Sequence, residues 1–200
     1  MPDFEYEIKA KEKGFKYVCG VDEAGRGPLA GPVCAAAVIL PEDCVIEGLD
    51  DSKKLSEKKR EALFDVIKEK AVSFSVAFGT LEEIEKYNIL EATFIAMNRA
   101  VAGLDVEADF ALIDGNRVPK GIEIPCETVV KGDSKSLSVA AASVLAKVSR
   151  DRLMMQYDKE YPEYNFKKHK GYGTKEHYAA IEEHGVCEIH RLSFLKNVIK

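Results

Sequence analysis

The chain has 200 residues, 46% hydrophobic and 32% charged, enough for one folded domain with a substantial core and the balance of an ordinary globular protein. A formal net charge of −5 excludes a protein that coats nucleic acid indiscriminately, while leaving room for a locally basic face. No apolar stretch approaches the roughly 20 residues of a membrane span, and the opening MPDFE lacks a basic and apolar leader pattern, so a cytoplasmic protein is expected.

In chain order, Tyr17, Val18, Cys19 and Val21 read as a strand that runs into the glycine and proline loop of "VDEAGRGPLAGP". "VCAAAVIL" (Val33 to Leu40) reads as a second strand in a hairpin with the first, its small alanines inviting close packing. Ser56 is a predicted N-cap for a helix through "EKKREALFDVIKEKA", and "VSFSVAF" (Val72 to Phe78) returns to strand character. Thr80 with Glu83 predicts a capping box, followed by helices over Leu81 to Tyr87 and about Leu90 to Gly103. "DFALIDG" and "ETVVKGD" read as two further strands, and Leu137 to Tyr161 as a long helix stopped by Pro162. "YNFKKHKGYGTKEH" reads as an aromatic and basic loop leading to Thr174, the N-cap of a helix ending at Gly185. The alternation predicts an α/β fold, a mixed sheet with helices on both faces.

Cys19, Cys34, Cys44, Cys126 and Cys187 have neither Cys-x-x-Cys nor zinc spacing and are expected to be free, mostly buried thiols. Tyr164 and Phe166 read as core. His169 lies in the basic loop as a candidate phosphate contact, while His177, His184 and His190 have no ligand spacing and read as structural or surface residues.

Asp22, Glu23, Asp114 and Asp133 fall at or just past the ends of three strands, so a sheet that sets those strands side by side collects them. Clustered carboxylates repel and raise one another's pKa unless an oxygen-seeking divalent cation such as Mg²⁺ or Mn²⁺ joins them. Such a centre suits phosphodiester hydrolysis. Taken singly, each Asp beside Gly is also an ordinary turn former. Neighbouring strand residues point to opposite faces, so Asp22 and Glu23 share a site only if the strand opens at its end, which Ala24-Gly25 permits. Gly25, Gly27 and Gly31 form either a plain turn or a cradle for a sugar or phosphate; their spacing matches neither the dinucleotide fingerprint nor the P-loop.

"GVDEAGRGPLAGPVCAAAVIL", "DDSKKLSEKKR", "YNILEATFIAMNRA", "LIDGN", "VVKGDSKSLSVAAASVLAKVSRDR", "YPEYNFKKHKGYGTKEH" and "IHRLSF" together resemble bacterial ribonuclease HII, the type 2 ribonuclease H family. The resemblance runs in order across nearly the whole chain. It implies a ribonuclease H-like fold over residues 1–200 as a single catalytic domain, with the helical part from about 137 to 200 contributing to substrate binding. It implies hydrolysis of the RNA strand of RNA/DNA hybrids and cutting on the 5′ side of a lone ribonucleotide in duplex DNA, leaving 3′-hydroxyl and 5′-phosphate ends. Asp22, Glu23, Asp114 and Asp133 become the catalytic, metal-binding acids for two Mg²⁺ or Mn²⁺ ions. Asp22 would bridge the ions, Asp133 hold the ion that activates water, and Glu23 and Asp114 hold the other.

By the same resemblance Gly25, Arg26 and Gly27 read the 2′-hydroxyl through their backbone, and Tyr172 packs on the next sugar. Ser52 and Lys53, together with Lys167, Lys168 and Lys170, are candidate phosphate contacts. Ser143 and Lys147 are candidate backbone contacts, although helix packing and a Lys147 to Asp151 pair explain them nearly as well. A monomer is expected, without the N-terminal substrate-binding domain of the ribonuclease HIII kind. The competing readings are a catalytically silent nucleic-acid binding module of the same fold and a nucleotide-binding protein that uses the glycine loop.

Overall fold

The computed structural model describes residues 1–196. Five strands form one mixed sheet: β1 (Val18–Ala24), β2 (Val33–Ile39), β3 (Ser73–Gly79), β4 (Phe110–Asp114) and β5 (Cys126–Val129), in the order β3-β2-β1-β4-β5. β1 and β2 pair antiparallel as the predicted hairpin, as do β2 and β3, whereas β4 joins β1 and β5 joins β4 in parallel. The carboxyl ends of β1, β4 and β5 therefore lie at one edge of the sheet.

Helices cover both faces, as the alternation predicts. Cys34, Ala36 and Val38 of β2 pack with the alanine-rich start of α5 (Leu137–Glu160) and with Leu63, Phe64 and Ile67 of α2 (Glu57–Lys70). The alternate residues Val33, Ala35, Ala37 and Ile39 face α4 (Ile89–Ala102) and Ile84 of α3 (Leu81–Tyr87). This explains why β2 is apolar throughout: both of its faces are buried. Ser56 caps α2 and the Thr80–Glu83 capping box opens α3. Among the described residues no helix is long and apolar enough to cross a membrane.

Three local expectations need correction. An N-terminal helix, α1 (Glu5–Glu12), precedes the first strand; EYEIKAKE lacks an apolar stripe, and the helix is held by the docking of Glu7 and Ala10. The "ETVVKGD" strand stops at Val129, because Lys131 turns into the left-handed region and Gly132–Ser134 form a 3-10 turn. The aromatic and basic loop is structured: Pro162–Tyr164 is a 3-10 turn and Phe166–His169 a short helix, α6, ahead of α7 (Lys175–His184). Tyr164 and Phe166 stack with ring centroids 5.3 Å apart in a satellite core with Leu29, Met154 and Ile181.

All five cysteines are free; Cys19 and Cys34 are buried and Cys44, Cys126 and Cys187 half-buried.

Candidate active site

The last parallel pair between β1 and β4 is Val21 with Ile113, and the next residues on the two strands are Asp22 and Asp114. Asp133 arrives from the other side of β4, on the 3-10 turn after β5. One carboxylate oxygen from each of Asp22, Asp114 and Asp133 lies within 4.8 Å of the others. An all-oxygen set of this size fits a hard divalent cation such as Mg²⁺ or Mn²⁺.

Glu23 enters differently from the expectation. β1 does not open before Gly25: it stays paired with β2 through Ala24 and Cys34, so the two adjacent carboxylates leave the strand on opposite faces. Glu23 remains outside the tight trio and pairs with Arg26 at 3.2 Å. Because β4 stops alongside, both faces are reachable at the sheet edge, and Asp22 and Glu23 line one cleft of about 230 Å³.

That cleft also collects Gly25, Arg26, Gly27, Ser52, Lys53, Asp114, Ser143, Lys147 and Tyr172, so most of the residues singled out from sequence converge. α5 supplies two of them. At Gly20 a Cβ would stand 2.1 Å from the Ser138 carbonyl carbon, so only glycine lets the helix lie this close to β1. One turn further on, Ser143 faces Asp22 and shares a 2.8 Å hydroxyl contact with Ser52. Lys147 pairs with Asp151 at 2.6 Å, as the helix spacing predicts, and still lines the cleft. Burial pulls its ammonium down against the charge of Asp151.

Tyr172 is 43% exposed at the mouth, close to Gly27. Lys170 lies apart from this lining: its ammonium points to the Lys167 carbonyl and Glu57. Lys167 and Lys168 are likewise engaged with Asp158 and Glu176. His169 is no phosphate contact, because it is buried with Nε2 on the Tyr164 carbonyl at 2.7 Å and Nδ1 accepting from the Gly171 amide.

The electrostatics follow from burial and mutual repulsion. Desolvation, then the charges of Glu23 and Asp114, holds the Asp22 carboxyl well above its ordinary range; a 2.7 Å bond from the Glu23 amide and the Ser143 hydroxyl oppose this only in part. Asp114 is raised by burial and by Asp133, against a 2.6 Å bond from the Gly132 amide. Glu23 is raised by burial, with Arg26 pulling the other way. For Lys53, burial alone would lower the pKa, but its 3.0 Å bond to Asp133 and the charges of Asp22 and Asp51 outweigh it and raise it. The lysine thus occupies the place of a counter-ion beside the acids.

Two arginines had no role in the sequence reading. Arg150 lies on α5 and Arg191 in "IHRLSF", 1% and 0% exposed, and both bond to the glycine loop. A run of charged residues such as "SRDR" gives no signal that separates a buried arginine from a solvated one. Glu7 was also unforeseen: its Oε1 accepts from the Ser136 hydroxyl at 2.7 Å and the Ser138 amide at 2.9 Å, steadying the turn between Asp133 and α5.

Comparison with known proteins points the same way. A family model described as ribonuclease HII matches residues 19–197. Ribonuclease HII of Clostridioides difficile (strain 630) is 56% identical over 194 residues, covering 97% of this chain and 76% of that protein. Ribonuclease HII of Dechloromonas aromatica (strain RCB) is 60% identical over 177 residues, covering 88% and 90%. Among solved structures, ribonuclease H2 from Pyrococcus horikoshii OT3 superposes with a TM-score of 0.76 at 25% identity, covering 92% of this chain and 97% of that one. With the strand order, the acid cluster and this extent of identity in agreement, the chain belongs to the ribonuclease HII family of endoribonucleases.

Proposed function

We propose that this protein hydrolyses the RNA strand of RNA/DNA hybrids and cuts on the 5′ side of single ribonucleotides embedded in duplex DNA, leaving 3′-hydroxyl and 5′-phosphate ends. The observation that carries the reading is one cleft lined by Asp22, Glu23, Asp114, the Gly25–Gly27 loop and Tyr172, with a carboxylate oxygen of Asp133 within 4.8 Å of those of Asp22 and Asp114. In this reading Asp22, Asp114 and Asp133, with Glu23 beside them, hold Mg²⁺ or Mn²⁺. Bound there, two such ions would ionise the attacking water and stabilise the leaving oxygen.

The chain's own groups do the rest. Burial and mutual repulsion raise the Asp22 and Asp114 carboxyls above their ordinary range, a penalty that a divalent cation held between them would relieve. Lys53, paired with Asp133, is placed to release that acid and meet a phosphate when substrate enters. The Gly25–Gly27 backbone reads the 2′-hydroxyl, the group that separates RNA from DNA at a given position. Tyr172 offers its exposed ring to the sugar that follows, and Ser52, Ser143 and Lys147 meet the backbone.

The test is incubation with Mg²⁺ or Mn²⁺ and a DNA duplex containing one ribonucleotide, beside an all-DNA duplex, with the cut mapped to the nucleotide. Cleavage only of the first, immediately 5′ of the ribose, is the expected result. Cutting of both would refute the account of 2′-hydroxyl reading; binding without any cut would favour a silent binding module.

A further inference from the structure

Two guanidinium groups lie beneath the glycine loop with no carboxylate within ion-pair distance among the described residues. Their partners are backbone carbonyls. Arg191 donates from Nη2 to Gly25 at 2.6 Å, from Nη1 to Arg26 at 2.9 Å and from Nε to Gly31 at 2.8 Å, and its own amide bonds Leu29 at 2.8 Å. Arg150 donates from Nη2 to Ala30 at 2.9 Å, from Nε to Pro32 at 3.0 Å and from Nη1 to the carbonyl of Lys170 at 2.9 Å. Six of the eight carbonyls between Gly25 and Pro32 are thus turned inward onto two residues. Among the described residues the amides of Gly25, Arg26 and Gly27 meet no protein acceptor.

Burying a charge without an opposite charge is costly, and here the cost is offset by bonds that fix the carbonyls of one loop. Arginine is the side chain for it: its rigid fork can hold several carbonyls in fixed directions, which a lysine's point charge cannot. The glycines answer to this arrangement. A Cβ on Gly25, whose φ is +92°, would stand 1.9 Å from Arg150 Nε, and one on Gly31 would meet Met154 and Arg150 at 2.5 and 3.3 Å. Gly25 is therefore required by the arginine packed behind it as well as by any ligand in front.

We propose that Arg150 and Arg191 are the positioning residues of substrate selection: by taking up the loop's carbonyls they leave three consecutive amides, Gly25 to Gly27, as a donor set for one oxygen-rich group in the cleft. The proposal rests on the loop reading above and adds the residues that impose it. A hydroxyl with acceptor lone pairs can satisfy such donors, whereas the bare C2′ of a deoxyribose leaves them unpaired, so the penalty falls on DNA.

Arg150→Lys and Arg191→Lys keep the charge and remove the fork. Each is compared with wild type for cooperative melting, the Mg²⁺-induced melting shift, kcat/KM on the single-ribonucleotide duplex, and the ratio of Kd for that duplex to Kd for all-DNA in Ca²⁺. The expected result is a retained Mg²⁺ shift with kcat/KM down tenfold or more and the Kd preference falling towards one. A folded variant whose preference stays within twofold of wild type would overturn the proposal, as would loss of the Mg²⁺ shift together with the preference, since that would mark general damage. Nitrogen-15 spectra of the wild type decide the matter even if the variants fail to fold. Both guanidinium groups should exchange slowly, and the Gly25 to Gly27 amides should shift with the ribonucleotide duplex and stay put with all-DNA. Exchange at a surface arginine's rate, or unmoved amides in a protein that does discriminate, would overturn it. A wild type that does not discriminate at all would instead refute the function proposed above.

Discussion

Asp22→Asn should stabilise the protein in the absence of metal while ending its response to metal. One oxygen of each of three acids lies within 4.8 Å of the others, and two full charges at that separation repel by about 3.5 kcal/mol at an effective dielectric constant of 20. Asp22 takes part in two of the three pairs. Water at the half-buried Asp114, the Lys53 ammonium and partial protonation each reduce the penalty, leaving about 1–3 kcal/mol to be recovered by the substitution. For a chain of this length that is roughly 3–10 °C in melting temperature. The asparagine oxygen can still accept from the Glu23 amide and the Ser143 hydroxyl, so no buried donor is orphaned.

The pH dependence has a definite sign. The folded-state pKa of Asp22 is raised above its unfolded value, so the wild type is unpenalised below the ordinary aspartate range and loses stability as pH rises through the raised value. The gap between Asp22→Asn and wild type in EDTA should therefore open as pH increases. Adding Mg²⁺ should raise the wild-type melting temperature, by about 2.7 kcal/mol of stability at a hundred times Kd, and leave the variant unmoved. The assay is a set of thermal melts in EDTA and in Mg²⁺ at several pH values. A variant that melts at or below the wild-type temperature in EDTA at high pH would refute the repulsion argument.

Asp133→Asn should lower kcat by at least about a thousandfold with hybrid affinity and far-ultraviolet circular dichroism unchanged; turnover near wild type would remove Asp133 from the proposed metal site. Tyr172→Ala should remove roughly 1.5 kcal/mol of apolar burial where the ring meets the sugar, seen as about a tenfold fall in kcat/KM on the single-ribonucleotide duplex; equal rates would dismiss the contact. His177 is buried, and desolvation pulls its pKa down to about 4, so the unfolded chain binds the extra proton between there and the ordinary histidine range. The contribution of His177 to stability should fall by about 1–2 kcal/mol as pH drops from 6.5 to 5, opposite in sign to that of the acids, and is read by urea unfolding as the difference between wild type and His177→Gln; a difference that does not change with pH would place the loss elsewhere.

The elements that sequence made legible are those whose local chemistry and tertiary setting agree. β2 reads as a buried strand because both of its faces meet helices, and the caps at Ser56, Thr80 and Thr174 are visible because capping is decided within three residues. α1 was invisible for the opposite reason: nothing in EYEIKAKE is periodic, and its place is set by a buried Glu7 bonded to residues more than a hundred positions away. The acids were legible as strand-end carboxylates, and the alternation that turns Asp22 and Glu23 to opposite faces is local, but the strand order that collects Asp22, Asp114 and Asp133 was not, since register between distant segments leaves no local mark.

The residues behind the site were the least legible, and the reason lies in what they touch. Asp22, Asp133 and Tyr172 face a ligand, and their chemistry can be named from side-chain type alone. Arg150 and Arg191 face main-chain carbonyls, which every residue has, so no pairing partner in the sequence betrays them. What sequence does carry is the shadow of that contact: glycines at positions 25 and 31 with positive φ, where a side chain would strike the guanidinium or the methionine packed behind it. A glycine-rich loop that matches no phosphate-binding spacing is thus better searched for a buried cation behind it than for a ligand in front alone, and here two arginines at the back hold the carbonyls while the Gly25 to Gly27 amides meet no protein acceptor among the described residues.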